Sequence, residues 1–159
     1  MGKKQDKTNV MRLLDQKKIE YKIHDYSDTD ALSGTEVAAA LGENPEQVFK
    51  TLVTIGASKT YYVFVIPVNK ELDLKKAAKA VSEKNIEMIK SKDLLPLTGY
   101  IHGGCSPIGM KKFFKTTLDE SAKGYEKIFF SGGRIGLQVE VAVSDLGNII
   151  KYDFAEITC

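Results

Sequence analysis

Along the chain, stretches whose apolar residues recur every three or four positions give way to stretches where they recur every second position. Val10, Met11, Leu13 and Leu14 fall on one side of a helical wheel, which predicts an amphipathic helix over residues 8–18 capped by Thr8. Residues 21–26 read as a short strand. Ser33 followed three positions later by Glu36 is a capping box, opening a helix that runs to Leu41 and stops at Gly42. Residues 48–55 and 60–66 are rich in β-branched and aromatic side chains. The Gly-Ala-Ser-Lys between them predicts a hairpin. A helix from Leu72 or Asp73 to Ala80 carries lysines on one face and alanines on the other. Residues 86–89 read as a strand, and residues 91–95 as a helical turn that ends before Pro96.

Beyond a glycine-rich stretch, Phe113 and Phe114 are expected in the core. Residues 127–130 and 135–141 flank Ser-Gly-Gly-Arg and predict a second hairpin. A short helix over 144–150 and a strand over 152–157 complete the chain. The result is about seven strands and four or five helices that do not alternate strictly. This pattern predicts an α+β fold with a mixed, mostly antiparallel sheet curling over helices, rather than a doubly wound parallel sheet.

Composition narrows the class. A chain of 159 residues, 43% apolar and 28% charged, is expected to form one globular domain over residues 1–159. No apolar run approaches the roughly 20 residues of a membrane helix, and the first residues, MGKKQDKTN, lack an apolar stretch, so no signal sequence is expected. The two cysteines, Cys105 and Cys159, form neither a disulfide framework nor a metal-ligand spacing. The expected compartment is the cytoplasm, with no membrane partner, no metal and no cofactor.

The net charge of +2 conceals segregation: residues 1–22 carry a balance of +4, residues 70–92 of +3, and residues 23–50 of −5. These are either solvated helix faces or basic surfaces for an RNA backbone. With so small a net charge, a general high-affinity DNA or RNA binder is not expected.

Two features carry candidate chemistry. Lys50 shares a strand face with Val48 and Leu52, an unusual place for an ammonium unless it serves a pocket or guards a sheet edge. The stretch GYIHGGCSPIGMKK, Gly99 to Lys112, forms neither helix nor strand. Gly103-Gly104 lets a ligand approach the main chain, whose successive amides can hold a carbonyl or anion. Cys105 within it could be a nucleophile, yet its small and apolar neighbours would raise its pKa and no evident base is adjacent. Ser131, opening the second hairpin turn, is a further candidate for a phosphate or ribose contact. The residues alone do not name a reaction.

Three segments in this order and spacing resemble the YbaK/EbsC family of aminoacyl-tRNA deacylases, free-standing relatives of the editing domain inserted in bacterial prolyl-tRNA synthetases. They are FKTLV at residues 49–53, GYIHGGCSPIG at 99–109 and FFSGGRIGLQVE at 129–140. The helix DLKKAAKAVS at 73–82 is similar too, and the likeness runs from about Thr8 to Thr158. The resemblance implies a mixed sheet closing into a barrel-like pocket with helices packed outside. It implies Lys50 as the catalytic pocket lysine, with Tyr26, Thr51, Gly103, Gly104, Cys105, Ser106, Ser131 and, less closely aligned, Asp145 around the substrate.

The glycine motif is most similar to the YbaK branch, which implies removal of cysteine from the 3′ end of Cys-tRNA(Pro), and of Cys-tRNA(Cys), with prolyl-tRNA synthetase as a partner. In that branch the substrate's own thiol attacks its ester carbonyl, so Cys105 is a bystander. An Ala-tRNA(Pro) deacylase using an oriented water, and a non-catalytic module binding aminoacyl-tRNA or a synthetase, remain the alternatives.

Overall fold

A computed structural model describes residues 7–159. Helix α1 (Asn9–Gln16) begins where Thr8 accepts the Met11 N–H, and it buries Val10 and Leu14 completely. Each such side chain contributes about 1.5–3 kcal/mol. Strand β1 (Tyr21–Asp25) follows, then α2 (Gly34–Leu41), opened by the reciprocal Ser33–Glu36 box and ended by Gly42 at φ 67°. Strands β2 (Phe49–Gly56) and β3 (Tyr61–Pro67) form the first hairpin, and Asp73 caps α3 (Leu74–Ala80). Strand β4 (Ile86–Met88), α4 (Ser91–Thr98), β5 (Lys115–Asp119), β6 (Lys127–Ser131), β7 (Leu137–Ala142), α5 (Val143–Leu146) and β8 (Tyr152–Ala155) complete the order.

The strands make two sheets, β1-β7-β6 and β4-β2-β3-β5-β8. All pairs are antiparallel except β3–β5 and β5–β8. The expected α+β class with a mostly antiparallel mixed sheet is therefore observed. An isolated bridge, Val48 to Phe129, joins the sheets. Between them lies the main core, where Val10 and Leu14 meet Phe49, Val53, Val63, Val65, Ile128, Phe130 and Val139. Ala77, Ala78 and Val81 cover the opposite face of the larger sheet against Phe64, Ile66 and Ile86.

Three expectations are corrected. Strand β5, which the hydrophobic pattern did not predict, runs parallel between β3 and β8. Its Thr116, Thr117, Leu118 and Asp119 are all buried, so it shows no alternation. Asp119 is tolerated there because its carboxylate accepts the N–H groups of Ser121 and Ile157. Helix α4 continues through Pro96 to Thr98. The proline forfeits one bond to an exposed turn, while buried Leu94 and Thr98 hold the end, Thr98 Oγ1 donating to the Leu94 carbonyl at 2.8 Å. Phe114 packs on the core and lies edge-on to Tyr61, but Phe113 is 68% exposed. Successive side chains on an extended segment point to opposite sides, so anchoring Phe114 turns Phe113 outward.

Candidate functional site

The site begins with an interrupted sheet edge. At one end of the β2–β3 pair the Val68 N–H donates to Val48 O, and at the other the Gly56 N–H donates to Thr60 O. Bonded pairs alternate in an antiparallel ladder, so the even-numbered residues of β2 bond β3 and the odd-numbered ones turn their main-chain groups to the opposite edge. That edge is covered by the Phe129 bridge at Val48 and by β4 from Thr54, with the Ile89 N–H reaching Val53 O. Between these covers the N–H and C=O of Thr51 face an open gap.

A cavity of about 450 Å³ lies along this gap, lined by Lys50, Thr51 and Val53 from β2, Phe130 and Ser131 from β6, and Gly103 and Cys105 from the glycine loop. Lys50 sits opposite Ile66 and is half-buried, and among the described residues no carboxylate lies within ion-pair distance of it. The two readings of this lysine converge: it stands at an uncovered stretch of sheet edge, and that stretch is the pocket wall. The Thr51 hydroxyl is buried with no hydrogen-bond partner, although it lines the cavity. A buried, unsatisfied hydroxyl costs about 1–3 kcal/mol. Thr51→Val is therefore expected to leave the melting temperature unchanged or raised while weakening substrate use, read as a higher KM. A lower melting temperature would show that Thr51 serves the fold.

The glycine loop and the second hairpin make the facing wall. Gly103 adopts φ 90°, and a side chain on Gly104 would come within 3.1 Å of the Arg134 Cα and the Ile135 nitrogen. Glycine is thus required at 104 by a main-chain approach. The Gly104 N–H donates to Ile101 O, whereas the amides of Gly103 and Cys105 reach no main-chain acceptor. Gly103 and Cys105 line the cavity, so of the Gly103-Gly104 pair expected to hold a carbonyl only the Gly103 amide stays free there, joined by that of Cys105. Ser131 Oγ accepts the Gly133 N–H at 3.1 Å, fixing the turn, and Thr8 Oγ1 holds the Gly132 carbonyl at 2.6 Å. Tyr26 lines the cavity from the end of β1, its N–H bound to Gly136 O.

Not every candidate reaches the cavity. Ser106 is fully buried behind the loop, its Oγ accepting the Ile108 N–H. Gly104 acts at the loop–hairpin contact, and Asp145 lies in α5 outside the lining. Cys105 touches the cavity, but burial pushes its thiol up to about 12. At pH 7 only about one thiol in 10⁵ would be ionised. Cys105→Ala should accordingly keep turnover within about tenfold, or ~1.4 kcal/mol of barrier. A trapped acyl-enzyme at Cys105 would contradict this.

Among the lining residues to which the sequence gave no role are the polar side chains of Lys90, Ser91, His102 and Gln138. Gln138 lies opposite Ser131 and is 3% exposed, with its Oε1 unpartnered. Its side chain meets Glu43, whose carboxyl is pushed up by burial. Gln138 lies on the face of β7 opposite that of Leu137 and Val139, and Glu43 in the segment after α2 meets it there. Among the described residues, no group of three or more His, Cys, Asp or Glu could hold a metal ion, and no helix is long and apolar enough to cross a membrane.

The architecture is that of a class of α+β domain seen in several solved proteins. A hypothetical protein, APE2540, shares the fold with TM-score 0.86 at 20% identity, over 94% of this chain and 99% of the other. A proposed trans-editing enzyme for prolyl tRNA synthetase shares it with TM-score 0.83 at 23% identity, over 97% and 99%. The chain belongs to the aminoacyl-tRNA editing domain family, whose model matches residues 29–149. It is 49% identical over 157 residues, 98% of its length, to EbsC of Enterococcus faecalis, a proposed Cys-tRNA(Pro)/Cys-tRNA(Cys) deacylase covered over 96% of its own length.

Proposed function

We propose that this protein is a trans-editing deacylase that removes cysteine from Cys-tRNA(Pro), and from Cys-tRNA(Cys), in the cytoplasm. The observation that carries the reading is a cavity of small volume with an unpaired lysine at its wall, in a chain 49% identical to a protein proposed to have that activity. The aminoacyl ester is small and neutral at its carbonyl, and its ribose-phosphate is anionic. Lys50 suits the anionic part through a charge-assisted contact. The amides of Gly103 and Cys105 suit the developing oxyanion. The unpartnered oxygens of Thr51 and Gln138 suit the protonated α-amino group.

Chemistry is assigned to the substrate. Its thiolate attacks its own ester carbonyl, the C–S bond forms, and the ester C–O bond breaks. The departing ribose 3′-oxygen takes a proton, leaving free tRNA and a cyclic thioester that water opens. Thiol and carbonyl belong to one cysteinyl group, so the step is intramolecular, and the cavity favours it by holding the conformer in which the sulfur faces the carbonyl. An enzyme thiol raised to about 12 has no part in it. Selectivity follows from the nucleophile, because alanine has none and a seryl hydroxyl ionises far less readily than a thiol. Prolyl-tRNA synthetase is proposed as a partner that brings newly charged proline tRNA to the site. The test is release of tRNA from Cys-, Ala- and Ser-charged proline tRNA by the purified protein. Rapid release from the cysteine ester alone is expected; equal release from the alanine ester would favour an oriented water instead.

A further inference from the structure

We propose that Lys111, Lys112, Phe113, Lys115 and Lys151 form a docking surface for the RNA strand that leads out of the cavity; this rests on the reading of the protein as an aminoacyl-tRNA deacylase. Phe113 is the most exposed aromatic among the exposed large side chains, and it packs on none of the hydrophobic clusters among the described residues. Its neighbours are uncompensated cations. The chain carries no acid from Leu94 to Leu118, and among the described residues none of these four lysines lies within ion-pair distance of a carboxylate.

By contrast, lysines of the more basic segments are partly neutralised: Lys7 pairs with Asp15, and Lys76 with Glu156 and the Thr158 carbonyl. The parallel β5–β8 register, Thr116 opposite Tyr152, also sets Lys151 beside Lys115. Like charges on adjacent strands are unfavourable unless an anion lies over them. An exposed ring among unpaired lysines is the composition that binds single-stranded nucleic acid, bases on the ring and phosphates on the ammonium groups.

The location fits the strand's exit. Met88 lines the cavity and is half exposed, and the register Met88–Thr54–Tyr62–Lys115 crosses the sheet in three strand steps. Three steps amount to about 14 Å. A second tie runs through α4, whose Ser91 and Leu94 line the cavity and whose last carbonyl, Thr98 O, accepts the Lys111 N–H. A chain anchored by its 3′ nucleotide in the cavity reaches this surface with the next few nucleotides.

The experiment measures affinity of the full protein for uncharged proline tRNA across a salt series, together with steady-state kinetics on Cys-tRNA(Pro) and on the minimal ester cysteinyl-adenosine. Phe113→Ala is expected to weaken tRNA binding about tenfold, the size of one lost base–aromatic stack, and Phe113→Tyr to restore it. Changing Lys111, Lys112 and Lys115 together to Gln should flatten the dependence of log affinity on log salt by about two. On Cys-tRNA(Pro) these variants raise KM and leave kcat unchanged; on cysteinyl-adenosine they change nothing. Unaltered tRNA affinity and salt slope in the folded variants would overturn the proposal. So would equal damage to the minimal ester, or loss of synthetase association with tRNA binding intact. If the wild-type protein deacylates neither ester, the functional reading fails, and the tRNA-binding arm still decides this surface.

Discussion

Lys50→Ala is expected to lower kcat/KM on Cys-tRNA(Pro) by at least a hundredfold, about 2.7 kcal/mol of transition-state stabilisation. The ammonium has no carboxylate partner among the described residues and lines the cavity, so its removal strands no buried charge. Stability should hence change by less than about 0.5 kcal/mol. Lys50→Met separates the two roles of the side chain, because methionine keeps the apolar stem against the strand face and discards the charge. It should be as stable as the wild type and as inactive as the alanine variant. Near-wild-type turnover in either would remove Lys50 from the site.

The second large effect is structural. Gly104→Ala places a methyl 3.1 Å from the Arg134 Cα and the Ile135 nitrogen, and 3.2 Å from the Arg134 carbonyl carbon. Main-chain atoms of a hairpin cannot swing aside as a flexible side chain can. Overpacking of this kind costs about 1–3 kcal/mol. The strain should separate the glycine loop from the hairpin that carries Ser131, so activity falls with stability. Gly147→Ala is the control. It has an ordinary φ of −65° and nothing within 4 Å of its added methyl, so it should be neutral or stabilising by about 0.4–1 kcal/mol. Thermal unfolding of both variants beside the wild type checks the pair. Equal melting temperatures would show that the loop–hairpin contact tolerates a side chain.

What the sequence made legible was local. The Thr8 cap, the Ser33–Glu36 box, the Gly42 stop and both hairpins each follow from residues within a few positions of one another. Lys50 and the glycine loop were visible because an ammonium on an apolar strand and paired glycines violate ordinary patterning. The missed features depend on distant partners. Strand β5 is buried on both faces between strands from either side in sequence, so no alternation marks it.

Gln138 received no role from the sequence, because nothing local announces that Glu43 and its segment meet that face of β7. The exposure of Phe113 likewise follows from where Phe114 is anchored. Of the residues assigned from the family resemblance, Tyr26, Lys50, Thr51, Gly103, Cys105 and Ser131 do line one cavity, and Gly104, Ser106 and Asp145 do not. Motif proximity along the chain cannot tell a residue that faces a pocket from one that braces it.

The central claim is that the substrate's thiol, not an enzyme group, breaks the ester. It is tested most directly by the single-turnover rate of tRNA release from Cys-tRNA(Pro) against that from the same tRNA carrying S-methylcysteine. Methylation preserves the ester and adds one carbon but removes the nucleophile. Release from S-methylcysteinyl-tRNA(Pro) is predicted to be at least a hundredfold slower, about 2.7 kcal/mol in barrier, while the unmodified ester is cleared rapidly. Comparable rates for the two esters would contradict the account.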